Sequence, residues 1–371
     1  MRDDLIVLSH LRWAWVWQRP QHIVSRLGRG RRTWFVEEPW PGPVPTPRLS
    51  TTIDGDVTRT WLDVPDRGRH VGFEPDHVAT YARLLPRLFG PGHGNRIVWL
   101  YSPLALDAAL ALNPTVLVYD VMDDLASFDG ASPALATAQQ AALAAADVVF
   151  AGGPSLHRGV VDGGRADAHL FPSGVEPEHY ALGTGIDARR ADGRPVAGYV
   201  GVVDERLDLD LVAGFAAALP DWEVRMVGPV AKIDPATLPR AANITWAGPA
   251  AYSELPAVMA GFDVALMPFA LNQATRSISP TKTLEYLAAG LPVVSTPVPD
   301  VVSQFGRVVA VEANATGFAR ACRRVDGEER PAWEEEVREL LHRHHWDTIA
   351  ARMATIVHDA GVQPALEDIS A

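Results

Sequence analysis

Asn272–Thr296 reads NQATRSISPTKTLEYLAAGLPVVST and divides into a polar loop, a helix and a buried strand. Ser279 is placed to cap the helix. Pro280 suits the first helical position, because its missing N–H would be unbonded there in any case. Leu284, Leu287 and Ala288 repeat at helical spacing. Gly290 stops the helix as a left-handed residue does, and Pro292 prevents its resumption. PVVST reads as a short strand buried on both faces. The exposed side keeps the helix N-terminus with its free N–H groups, then Lys282, then Glu285 one turn on. A helix N-terminus with a lysine beside it suits phosphate. A carboxylate one turn deeper can accept two hydrogen bonds from a vicinal diol such as ribose. Together these groups fit a nucleoside diphosphate.

The segments upstream predict the same kind of frame. VAGYVGVV (196–203), EVRMVGP (223–229), ITWAGP (244–249), DVALMPF (263–269) and, downstream, VVAVE (308–312) read as strands. Helical patterns at 209–219, 254–262 and 280–289 lie between them. A first series precedes it: strands at 5–10, 33–39, 97–103, 116–124, 147–152 and 168–174, with helices at 20–27 and 133–146. Such alternation predicts two doubly wound parallel sheets, each with ligands beyond its strands' carboxyl ends. Residues 40–66, rich in Pro, Thr and Asp, read as a loop with one or two edge strands. The polar, Gly-rich stretch 183–195 marks the domain boundary. The expected division is 1–190, 191–345 and a closing helix with tail over 346–371.

Length and composition agree. A chain of 371 residues exceeds what one core usually supports. The net charge of −12 argues against a broad nucleic-acid surface. The single cysteine, Cys322, excludes an intramolecular disulfide and a Cys-based zinc site, and reads as a small core residue. MRDDLIVLSH carries too short an apolar run for a signal peptide, and no window reaches the ~18 apolar residues of a membrane span. A cytoplasmic protein is expected. Gly-x-Ser-x-Gly, P-loop and Gly-x-Gly-x-x-Gly motifs are missing, which weakens hydrolase, kinase and dehydrogenase readings.

SPTKTLEYLAAGLPVVST resembles the nucleotide-binding segment of the family-4 retaining glycosyltransferases. SHLRW…WQRPQH near the N-terminus is similar to the start of a bacterial subgroup of that family. The resemblance implies the GT-B fold, in which two Rossmann-like domains face each other and the last helix crosses back to the first. HHWD (344–347) resembles the crossing segment. It further implies transfer of a sugar from a nucleoside diphosphate donor to an acceptor hydroxyl, with retention. The family usually carries two glutamates seven residues apart; Glu285 matches the second, and Ser277 stands where the first would be.

Several further residues are candidates. Arg206, in the loop after Gly201, occupies the place of a basic residue that reaches the diphosphate in the family, or else pairs with Glu205, Asp208 or Asp210. Arg276 is a second candidate for the diphosphate or the sugar. Ser279, Pro280 and Thr281 would line the donor site, with the base near Gly248 and Pro249. YDVMDDL (119–125) places Asp123 about where the family has a sugar-contacting histidine. Its carboxylate would orient a hydroxyl or steady an oxocarbenium ion; the plainer reading is a strand-end helix cap. Trp13, Trp15 and Trp17 alternate, which fits one strand face or a loop with Trp15 and Trp17 against an acceptor. Gln18 and Arg19 would bind acceptor hydroxyl or phosphate, and His10 would polarise the acceptor if it is not merely structural.

Asp120 and Asp123 do not form the Asp-x-Asp element of metal-dependent transferases. Lys282, the helix N-terminus and Arg206 would supply the positive charge instead, so neither metal nor separate cofactor is expected. The acceptor class stays open among sugars, natural products and lipid-linked carriers. For a lipid carrier, the arginines at 26–32 are the place to look for peripheral contact with the inner membrane face. Two other functions are compatible with the residues: a GT-B sugar-nucleotide epimerase or hydrolase, and a non-catalytic GT-B binding module.

Overall fold

The computed structural model describes all residues except 1–2, 69–70, 91–93, 126–132, 182–192, 277, 279–280, 327–330 and 363–371. Apolar runs with turn residues at their ends become strands throughout. The first unit holds β1 (Asp4–Ser9), β2 (Arg32–Glu37), β3 (Trp40–Gly42), β4 (Arg48–Asp54), β5 (Val57–Pro65), β6 (Arg96–Leu100), β7 (Val116–Val121), β8 (Val148–Ala151) and β9 (His169–Leu170). They run in the order β3-β5-β2-β1-β6-β7-β8-β9, with β4 antiparallel on β5. The second unit orders β10 (Val196–Val200), β11 (Glu223–Val227), β12 (Ile244–Gly248), β13 (Val264–Met267), β14 (Val293–Ser295) and β15 (Ala310–Val311) as β12-β11-β10-β13-β14-β15. All pairs but β4–β5 are parallel, so helices must cover both faces of each sheet. Each order reverses beside its first strand, the switch point at which such sheets bind ligands.

Three cores follow. One spans the second unit, and two lie on opposite faces of the first sheet. Leu5, Val7, Phe35 and Val118 of the first sheet are covered by Ile23 and Val24 of the helix Arg19–Leu27. They are covered too by Trp346, Ile349, Met353 and Val357 of the helix Trp346–Val362. The last helix therefore returns to the first unit. Cys322 is buried in the second core, on the helix Ala315–Asp326.

The crossing is built by backbone pairing. Val175 N–H donates to His344 O at 2.9 Å, and Trp346 N–H donates to Val175 O at 3.1 Å. The buried side chains of the second core begin at Val175 and Tyr180, before the expected boundary at 183–195. The boundary shifts because the polar stretch follows the helix Pro177–Ala181, which already packs on the second unit. Most of 183–195 lies outside the described residues. A further tie joins the units: Ser155 donates from its N–H (3.2 Å) and Oγ (2.6 Å) to the buried carboxylate of Asp300.

Other expectations need correction. Residues 40–66 form three strands, and β5 sits inside the sheet with Leu62 and Val64 buried. Its alternating burial leaves Thr, Arg and Asp on the wetter face, which disguises it among loop-like residues. The run 168–174 shrinks to the exposed two-residue edge strand β9, which pairs only β8. The closing helix expected from 346 is the helix Trp346–Val362, and a separate helix, Pro331–Arg343, precedes the crossing.

The arginines proposed for a membrane face are largely committed within the fold. Arg26 bonds Asp347 and Glu176, Arg32 bonds Asp4, and Arg31 donates to Leu27 O. No described helix is long and apolar enough to cross a membrane.

Candidate active site

A cavity of about 620 Å³ opens between the carboxyl edges of the two sheets, within the usual size range of small-molecule sites. From the second unit it is lined by Gly201, Asp204, Arg206, Lys232, Thr281, Lys282 and Glu285, among others. From the first it is lined by His10, Trp15, Trp17, Gln18, Arg19, Glu38 and Asp123.

The helix Thr281–Ala288 buries Thr283, Leu284, Tyr286 and Leu287 against the second core. That leaves Lys282 and Glu285, three residues apart, on the cavity side. Tyr286 fixes the helix to the sheet, since its hydroxyl accepts the Val200 N–H at 2.8 Å. β10 ends there, and Gly201 follows with φ +151°. A Cβ on Gly201 would occupy the place of Lys282 Cε and Nζ, so the bare backbone is what lets the lysine lie across the strand end. The ammonium sits 5.9 Å from the Tyr199 ring centroid. Burial lowers its pKa, as does Arg206, while Glu285 and Asp204 raise it. Ser279 and Pro280, and Ser277 before them, lie outside the described residues, whereas Thr281 stands on the cavity wall.

Arg206 reaches the same wall, held by a partner that sequence reading missed. Asp204, 4% exposed, accepts Arg206 Nε at 2.9 Å and Nη2 at 2.7 Å. Asp208, one of the expected partners, instead caps the helix Leu209–Ala218. A half-buried guanidinium backed by a buried carboxylate is a fixed positive charge facing the cavity.

Across the cleft, burial raises Asp123 to about 6, against the pull of Arg206, Lys232 and Arg19. Its neighbours are thus cations of both units. Glu38 is pushed up to about 7, again by burial, with Arg12 opposing. His10 is driven down to about 4 by burial, and its Nδ1 has no hydrogen-bond partner among the described residues.

The tryptophan loop is irregular, not a strand. Gln21, fully buried, organises it by donating from its side-chain amide to the carbonyls of Arg12, Trp13 and Val16, each at 3.2 Å. Trp13 turns into the core, Trp15 is 54% exposed at the cavity, and Trp17 stacks toward Tyr252 of the second unit with centroids 6.1 Å apart.

Three expected contacts change. Arg19 is buried, and all three guanidinium nitrogens donate, to Asp120 and to Phe171 O. It therefore braces the cavity wall through these bonds. Gly248 and Pro249 do not line the cavity; Gly248 O takes the Gly228 N–H at 2.7 Å, and Ala250 stands on the wall instead. Arg276 is exposed and away from the lining.

Glu38, Asp204, Lys232 and Tyr252 were not found from sequence. Asp204 stands two residues before Arg206, a local signal that was available. Lys232 sits in an unpatterned loop and Tyr252 opens the short 3-10 turn Tyr252–Glu254, and only the tertiary fold brings them to the cavity. Among the described residues no group of three or more His, Cys, Asp or Glu is arranged to hold a metal ion.

Residues 194–326 match the family described as Glycosyl transferases group 1. A stretch of 211 residues is 30% identical to a protein described as putative teichuronic acid biosynthesis glycosyltransferase TuaH, from Bacillus subtilis (strain 168). The match spans 53% of each chain, so about half the length of that relative is covered. Among solved structures, an alpha,alpha-trehalose-phosphate synthase (UDP-forming) from Burkholderia vietnamiensis superposes with a TM-score of 0.68. It is 15% identical, over 97% of this chain and 99% of that one. An E. coli structure described as trehalose-6-phosphate bound with UDP-2-fluoro glucose gives 0.70 at 12% identity, over 97% and 99%. At such identities the likeness is one of fold. The fold is GT-B.

Proposed function

We propose that the chain is a glycosyltransferase that moves a sugar from a nucleoside diphosphate donor to an acceptor hydroxyl, with retention and without a metal. The observation that carries this reading is the convergence of Lys282, Arg206 and Glu285 on one interdomain cavity. Lys282 and Arg206 neutralise the departing diphosphate, which favours the state in which its charge develops. Glu285 accepts the two hydroxyls of the ribose. Asp123, facing them from the first unit, orients the donor sugar. Trp15, Trp17, Gln18 and His10 then meet the acceptor, with Arg19 acting through the wall it braces. Departure and attack on the same face of the sugar need no protein nucleophile. The matched family and the relative's description favour transfer over hydrolysis, epimerisation or mere binding. The nucleotide sugar is a substrate, and no further cofactor is required.

Calorimetric titration with UDP, GDP, dTDP and ADP tests the donor site. One nucleotide should bind wild type tightly, and Glu285→Ala should lose about 1.5–3 kcal/mol of that affinity, as for a hydrogen bond to a charged group. Equal affinity in the variant would remove Glu285 from the ribose. Failure of all four to bind would remove the donor site.

A further inference from the structure

Lys232 stands on the same cavity wall as Lys282 and Arg206. Its backbone is left-handed, with φ +62°, a conformation that residues other than glycine adopt at a cost. Pairing beyond the ends of β10 and β11 holds it there. Gly201 N–H donates to Val227 O at 2.8 Å, Val203 N–H to Pro229 O at 2.9 Å, and Ala231 N–H to Val203 O at 3.0 Å. The two loops thus run on side by side past the sheet edge. Lys282 lies over Gly201, at the edge itself, whereas Lys232 is carried farther out, toward the first unit.

Glu205 supplies the tether. Its side chain is 13% exposed, and the Lys232 ammonium stands 3.7 Å from Oε1. Both carboxylate oxygens are buried, without a hydrogen-bond partner among the described residues, so the attraction to Lys232 is little screened. Consecutive acids therefore each hold a cation on the wall: Asp204 holds Arg206, and Glu205 holds Lys232. The Lys232 side chain stays 52% exposed, within reach of a ligand. On the opposite wall His10 and Asp123 both feel its charge. A nucleoside diphosphate sugar carries one negative charge on each phosphate, and Lys282 and Arg206 answer those. A third cation, set farther out on the sugar's side, matches a negative group that the diphosphate does not supply.

We infer that Lys232, tethered by Glu205, is a specificity-determining residue that receives a further anionic group, a carboxylate or phosphate borne by the transferred sugar or by the acceptor. The inference rests on the reading of the cavity as a transfer site for a nucleoside diphosphate donor.

Calorimetry on Lys232→Met tests it. The bare nucleotide that binds wild type should bind this variant within about 2-fold, whereas Lys282→Met should weaken it by about 10-fold or more. Two arms locate the anion. The donor arm compares that nucleotide's glucuronic acid conjugate with its glucose conjugate. The acceptor arm compares glucose 6-phosphate with glucose on protein saturated with the nucleotide. In one arm wild type should favour the charged compound by about 10-fold or more, and Lys232→Met should lose that preference. Lys232→Arg should keep it. Lys232→Gly should lose it and yet melt near wild type, because glycine accepts the left-handed backbone freely. No preference for the charged compound in either arm would overturn the inference, as would a preference that survives Lys232→Met. Bare nucleotide weakened as much by Lys232→Met as by Lys282→Met would overturn it in favour of a third diphosphate ligand. No nucleotide binding to wild type would instead overturn the donor site itself, and the inference with it.

Discussion

Lys282 concentrates the electrostatics of the site in one side chain. It is partly withdrawn from water, lies over a glycine, and has Arg206 and Asp204 as neighbours. Lys282→Ala should lower turnover by about 100- to 1000-fold, the usual effect of deleting one preorganised charge-stabilising group. The circular dichroism spectrum and melting temperature should stay near wild type, because the helix packs on the core through Thr283, Leu284, Tyr286 and Leu287 while Lys282 faces the cavity. Near-normal turnover would take Lys282 out of the mechanism. That Lys282 and Glu285 share the open side of one helix was readable from sequence, because that helix carries its own punctuation, an apolar stripe with a glycine stop. Asp204 and Glu38 were not, since a buried carboxylate facing a cavity looks like any surface acid until the fold places it. Arg19 shows the converse case: a basic residue before a helix reads as a ligand, but its partner Asp120 is supplied by a distant strand.

At the scale of elements, the crossing carries the sharpest constraint. A Cβ at Gly174 would meet the His344 carbonyl oxygen at 2.5 Å, Ile349 Cδ1 at 2.8 Å and Trp346 Cδ2 at 2.9 Å. One of those atoms is backbone and the other two belong to a packed helix, so little can yield. Gly174→Ala should cost about 1–3 kcal/mol, as overpacking does, read as a lowered urea midpoint with an unchanged m-value. A midpoint at wild type would show that the two crossing segments separate more easily than their packing implies. Element existence was readable wherever apolar runs alternate with helical spacing. β5 escaped because its half-exposed face displays Thr, Arg and Asp, and β9 was overread because an apolar run at a sheet edge has only one neighbour. The domain boundary was misplaced for a related reason. A polar, Gly-rich stretch marks a loop, and only packing tells which core the helix before it has joined.

At the scale of the whole molecule, the junction is held partly by a neutral histidine. His22 is stacked on Trp346 at 4.9 Å, accepts the Trp17 indole N–H at Nδ1, and is driven down to about 3, chiefly by burial. A histidine depressed in the folded state binds fewer protons there than in the unfolded chain. Its contribution is complete above the ordinary value of 6.5 and is lost as pH falls toward about 3. Stability to urea should therefore decline from pH 6.5 to 4. His22→Gln should flatten that decline by up to about 1.4 kcal/mol per pH unit, the effect of one proton. An identical slope in the variant would show that His22 is not the titrating group. Two doubly wound units could be inferred from the rhythm of the chain, but not how they are fastened, because the fastening residues lie far apart in sequence. The Ser155–Asp300 contact has a mechanical meaning in this respect. Two bodies joined at a single point keep three rotations, whereas two bodies joined at two points keep only one. While the Val175–His344 pairing and the Ser155–Asp300 contact both hold, the halves can only swing about the line between them, as a door does on two pins.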